Sequence, residues 1–119
     1  MSRIYSHYLA DIVECCEKIR SYTAGMAFED FVSDRKTVDA VARNLEIIGE
    51  AAKNIPDEIL AEKPEVPWKL VRRFRDKIAH HYFDLNLDRV WKILESDIQT
   101  LEGSVRDLLV KRLQVEDLG

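Results

Sequence analysis

The sequence predicts an all-α fold, an antiparallel bundle of four to five helices. Three observations carry that prediction. Apolar residues recur at three- and four-residue steps nearly everywhere. Only four Gly and three Pro interrupt 119 residues dominated by good helix formers. No stretch alternates apolar and polar residues over strand length. With 46% hydrophobic and 34% charged residues, residues 1–119 have the composition of one globular domain with its own core.

The elements follow in order. Tyr5, Tyr8, Leu9, Ile12, Cys16 and Ile19 form one stripe and define a first helix over about residues 3–22. Gly25 sits in the break after it. Phe28 to Val32 reads as a connecting turn that inserts Phe28 and Phe31 into the core. A second helix runs from Asp34 to Asn54, with Val38, Val41, Ala42, Leu45, Ile48, Ala52 and Ile55 on its apolar face. Gly49 interrupts that helix at a cost of about 1 kcal/mol against Ala. Close approach of another helix is the expected compensation. Pro56-Asp57-Glu58 suits the first turn of a short helix that ends by Pro64. Pro67 opens a third major helix with Trp68, Val71, Phe74 and Ile78 on one side. Asp84 or Asn86 caps a final long helix. Its stripe is Val90, Trp91, Leu94, Ile98, Leu101, Val105, Leu108 and Leu109. Residues 114–119 read as a frayed polar tail.

Several function classes find no support. The start of the chain lacks the apolar core of a signal peptide, and no run approaches the ~20 apolar residues of a membrane span. The expected location is therefore the cytoplasm. The adjacent Cys15 and Cys16 are poorly placed for a mutual disulfide or a zinc site and read as small core residues. There is no Gly-rich phosphate loop and no cluster of metal-ligand spacing, so neither metal nor cofactor is expected. The net charge of −4 argues against whole-molecule attraction to nucleic acid. Any such binding needs a local patch.

Residues 69–77 supply that patch. Lys69, Arg72, Arg73, Arg75 and Lys77 put five basic side chains against one acid, Asp76, in nine positions. His80, His81 and Tyr82 follow at once. Cleaving RNA without a metal requires a base for the ribose 2′-OH, a fixed cation for the phosphate, and an acid for the leaving 5′-oxygen. Imidazole titrates near neutrality and suits the proton transfers. Guanidinium is always charged and grips two phosphate oxygens together. Arg75 and His80 supply these two kinds of group. Basic residues beside His on a helix are also common on a plain solvated face, so position matters.

Asp76 and His80 are four apart and share a helical face. Asp76 is thus expected to orient the His80 ring and favour its cation, with Arg72 extending the row. Arg75 and His80 lie about 140° apart around an ideal helix. Their convergence requires the long Arg side chain, a loosened helix near His80, or a second copy of the segment facing the first. His81 lies on the Arg73–Lys77 row, without an acid partner on that row. Trp68 and Trp91 sit on apolar stripes and read as core. Glu46 and Glu50, beside Arg43 and Lys53, read as a salt-bridged helix face.

Arg75-x4-His80-x-Tyr82 resembles the Arg-x4-His-x-Tyr motif of HepT-type toxins in the HEPN superfamily. The resemblance extends to Arg43-Asn44-Leu45-Glu46-Ile47-Ile48-Gly49-Glu50-Ala51-Ala52-Lys53, to Val66-Pro67-Trp68-Lys69 and to Asp88-Arg89-Val90-Trp91. It implies an all-helical homodimer acting as a metal-independent RNA endonuclease, with Arg75 and His80 catalytic at the dimer interface and Asp76 and Arg72 supporting them. Lys69, Arg73, Lys77 and His81 become candidates for binding RNA. The implied partner is a small MNT-type nucleotidyltransferase antitoxin that transfers AMP to Tyr82. Added phosphates there would repel RNA. The chain departs from its relatives at Asp76, where Asn is common, and at His81, where an acid is common. A second reading is a non-catalytic module that docks a nucleotidyltransferase and contributes to nucleotide binding. A third is a plain dimeric scaffold.

Overall fold

The computed structural model describes the backbone of residues 2–118 and the side-chain surroundings of residues 5–114. Within them the fold is all helical. Long helices α1 (Ser2–Thr23), α3 (Arg35–Lys53) and α5 (Trp68–His80) alternate with short α2 (Phe28–Ser33) and α4 (Asp57–Leu60). A 3-10 turn at Tyr82–Asp84 leads into α6 (Leu87–Lys92) and α7 (Ile98–Leu118). These last two are one helix joined through a widened π turn at Ile93–Asp97, where the Ile98 N–H reaches back five residues to Ile93 O. The extra residue re-phases the stripe. Trp91 faces Phe28 and Phe31, at ring separations of 6.1 and 5.2 Å, while Ile98, Leu101, Val105 and Leu108 are buried in the core.

Local chemistry sets the ends. Asp34 accepts from the Thr37 N–H and starts α3, and Asn86 accepts from the Arg89 N–H and starts α6. Asn86 rather than Asp84 is thus the final cap. The segment from Phe28, expected to be a turn, is a helix. Asp30 accepts the Ala27 N–H at 2.8 Å, and Phe31 is fully buried beneath Trp91. The expected fraying from Gln114 concerns residues whose side chains, from 115 onward, lie outside those described; the helical backbone continues to Leu118.

Helix α1 packs between α3 and α7, and α5 packs on α3. Ion pairs fix the directions. On α1 and α7, Arg20 holds Glu102 through two bonds of 2.6 and 2.9 Å, and Arg106 reaches Glu17 at 2.7 Å. Early α7 therefore meets late α1, an antiparallel pair. Glu102 is buried, and its two guanidinium partners hold its carboxyl below the usual range. Cys15 and Cys16 are both buried, and burial pushes their thiols up to about 11 and about 12. They serve as neutral core residues. Residues 62–65 are tied to α7 by Glu62 to Lys111 and Arg112, Lys63 to Asp107, and Ser104 to Glu65. That tie fixes where α5 begins. No helix among the described residues is long and apolar enough to cross a membrane.

Candidate active site on the α5 face

Gly49 seats α5. A Cβ at Gly49 would lie 2.6 Å from the Arg75 N, 3.1 Å from the Val71 O and 3.2 Å from the Phe74 Cβ. The expected close approach of a second helix is therefore present, and it occurs at Arg75 itself. Because α3 and α5 are so near, their charged residues pair across the gap. Lys53 donates to Asp76 at 2.8 Å, and Arg75 Nε lies 3.7 Å from Glu50.

This changes several local expectations. Glu50 and Lys53 do not close a salt-bridged row along α3; they reach α5 instead. Of these four residues, Arg43 and Glu46 pair along the helix, at 3.9 Å. Asp76 has its hydrogen bond from Lys53, not from His80, and sits 3.8 Å from Arg75. Lys53, Arg75 and His80 together hold its carboxyl below the ordinary aspartate range, with the Lys53 hydrogen bond the largest cause. Lys53 is the site residue that sequence reasoning missed. The signal for it was Gly49, which marks where two helices touch.

Arg72 is likewise drawn away from the Asp76 row. It donates to the Ala52 and Ile55 carbonyls at 3.0 and 2.6 Å and to Asp57 at 2.6 Å. These bonds add a donor to the Ala52 carbonyl, which also accepts the Ile55 N–H, and supply one to the Ile55 carbonyl just beyond α3. Arg72 is a clamp between α3, α4 and α5, bonded through all three of its guanidinium nitrogens. Arg72→Met is expected to lower stability by about 1–3 kcal/mol, the cost of orphaned polar groups, while leaving the cleavage rate of the folded protein intact. A denaturant melt paired with an RNA cleavage assay checks this; wild-type stability with lost cleavage would return Arg72 to the site.

The remaining motif residues spread around α5. The helix stays regular through His80 and ends at His81, so it does not loosen to bring Arg75 and His80 together. Arg75 borders a cleft of about 340 Å³ with Tyr8, Asp11, Arg43, Glu46 and Glu50. His80 is exposed at the end of the helix. Lys77 and His81 border a different groove of about 420 Å³, together with Asp84 and Arg89 above a floor that includes Leu45, Phe74 and Ile78. His81 does have an acid partner, Asp84, 3.5 Å from its Nδ1; the partner lies in the 3-10 turn, off the helical row. Lys69 and Arg73 are exposed on the same helix.

Tyr82 packs toward the start of α3. Arg35 stands 5.6 Å over its ring. Asp39 beside the hydroxyl is the main reason its pKa lies above the ordinary tyrosine value, and Arg35 pulls the other way. Arg35 and Asp39 are themselves 3.1 Å apart. Trp68 and Trp91 are half-buried and pack against the core; Trp68 donates its indole N–H to the Lys63 carbonyl at 3.1 Å.

Comparison with known proteins identifies the family. Residues 12–108 match the family model described as ribonuclease HepT-like. The chain is 45% identical over 108 residues to a Thermococcus cleftensis protein named "Probable ribonuclease HepT", covering 91% of this chain and 98% of that one. It is 42% identical over 105 residues to a candidate RNase of Methanocaldococcus jannaschii, covering 85% and 87% of the two chains. It is 41% identical over 104 residues to a candidate RNase of Caldanaerobacter subterraneus, covering 87% and 93%. No solved structure matches the chain. On the length of the match and the identity to these relatives, the chain belongs to the HepT-like ribonuclease family of the HEPN superfamily.

Proposed function

We propose that this protein is the toxin of a type VII-like toxin–antitoxin pair, a metal-independent RNA endonuclease whose site is completed by a second copy of the chain. The observation that carries the reading is the placement of Arg75 and His80 on one exposed helix, about 140° apart, within a ribonuclease family. One helix separates them, and two facing copies of α5 bring an Arg and a His from each chain into one cleft. His80 of one copy takes the 2′-OH proton. The 2′-oxygen attacks phosphorus, and the bond to the 5′-oxygen breaks. The histidine of the second copy protonates that oxygen, leaving a 2′,3′-cyclic phosphate and a 5′-OH end. Arg75 holds the phosphate oxygens as charge builds. Glu50 and Asp76 keep the guanidinium in place until the phosphate arrives, and Lys53 keeps Asp76 from cancelling it. Exposed Lys69, Arg73 and Lys77 line up the RNA backbone.

Control falls to a cytoplasmic MNT-type nucleotidyltransferase partner. It moves AMP from ATP to the Tyr82 oxygen and releases pyrophosphate, adding negative charge two residues from His80. Two measurements test the reading. Purified protein is expected to cut RNA in EDTA and to arrest growth when expressed. Co-expression with the adjacent nucleotidyltransferase is expected to add AMP mass to the peptide holding Tyr82. An inert protein that only forms a complex with the transferase would favour the docking-module alternative.

A further inference from the structure

We propose that Phe83 is a stacking platform that holds a nucleobase of the RNA beside His80. The inference rests on the ribonuclease reading above and names how the substrate is gripped. Phe83 is 93% exposed, whereas the other large exposed apolar side chains among the described residues reach at most 52%. A phenyl ring left in water contributes nothing to the core, although burial of such a ring is a major source of stability.

The ring has an aromatic neighbour. It rides on the 3-10 turn Tyr82–Asp84. Tyr82 meets it at 5.2 Å and 82°, an edge-to-face contact. Tyr82 in turn carries Arg35 over its ring, 5.6 Å from the centroid. One edge-on contact leaves a broad face of Phe83 open to solvent. The turn follows His80 and His81 directly in the chain, so a base held there would be three residues along the chain from the proton-transfer group. The charges around the turn fit a polyanion: Lys77, His81 and Arg89 border the adjoining groove against the single acid Asp84. Every base offers a π-face, so such a platform grips RNA with little sequence preference. A docking protein would want an apolar rim around the ring rather than these cations.

The test measures binding of a short fluorescein-labelled oligoadenylate by anisotropy, in a non-cleaving His80→Ala background. Adding Phe83→Ala is expected to weaken binding about tenfold, within the range of one stacked base. Phe83→Trp restores affinity and Phe83→Leu does not. Sedimentation is expected to show the same oligomeric state for all variants. Equal binding with alanine, full rescue by leucine, or a changed oligomeric state overturns the platform, the last by assigning the ring to a protein interface. If His80→Ala protein binds no RNA at all, the ribonuclease reading falls with it. If it binds RNA and Phe83→Ala binds equally well, only the platform falls.

Discussion

His80→Ala is expected to cut the rate of RNA cleavage by about 10²–10⁴-fold, the contribution of a positioned general acid or base, with no change in melting temperature. The ring is exposed at the end of α5, so its removal leaves no cavity. Arg75→Ala is expected to cost about 10²–10³-fold through lost stabilisation of the phosphate. Arg75→Lys recovers only part of this, because an ammonium keeps the charge and loses the two-pronged grip. The double variant is expected to be little worse than the worse single one, since groups acting in one step are not additive. Single-turnover cleavage of labelled RNA beside calorimetric melts reads all four proteins. A His80→Ala protein that melts and cleaves like the wild type sinks the assignment.

The second large effect is at Gly49. Alanine there sets a Cβ 2.6 Å from a backbone nitrogen of α5, and no side-chain rotation relieves that. Helix α5 has to move. Overpacking of this kind costs about 1–3 kcal/mol, while replacing Gly within a helix returns up to about 1 kcal/mol. The expected net loss is up to about 2 kcal/mol, with a larger loss for Gly49→Val. The displacement falls on Arg75 and on the Lys53–Asp76 and Glu50–Arg75 pairs, so cleavage is expected to drop at temperatures where the variant remains folded. Gly103 is the control: it is helical, and a Cβ there meets nothing within 4 Å. Gly103→Ala is expected to stabilise by about 0.5–1 kcal/mol and to leave cleavage alone. Identical behaviour of the two alanine variants would mean that the seat of α5 is not tight.

Most of the helical architecture was legible in the sequence because helix formation leaves local marks. The stripe from Tyr5 to Ile19, the stripe from Val38 to Ile55 and the prolines at 56 and 67 act through neighbours three or four residues away. The segment from Phe28 was harder. Six residues are too few for a clear period, and what holds them is Trp91, far along the chain. The π turn at Ile93–Asp97 was also hidden, since apolar residues on both sides of it keep helical spacing.

The site divides along the same line. The sequence by itself determined that one segment holds the cations, the imidazoles and Tyr82, that these lie on or just beyond a helix, and that Arg75 and His80 point in different directions around it. Only the tertiary structure decided what each side chain touches. Arg72 turned out to be a clamp on α3. Asp76 belongs to Lys53, Arg75 leans on Glu50, and Tyr82 rests against Arg35 and Asp39. The physical reason is that along-helix spacing states which residues share a face, whereas the partner on the next helix depends on how closely and in what register two helices approach. In this protein that register is set by the missing side chain of Gly49, beneath the backbone of Arg75.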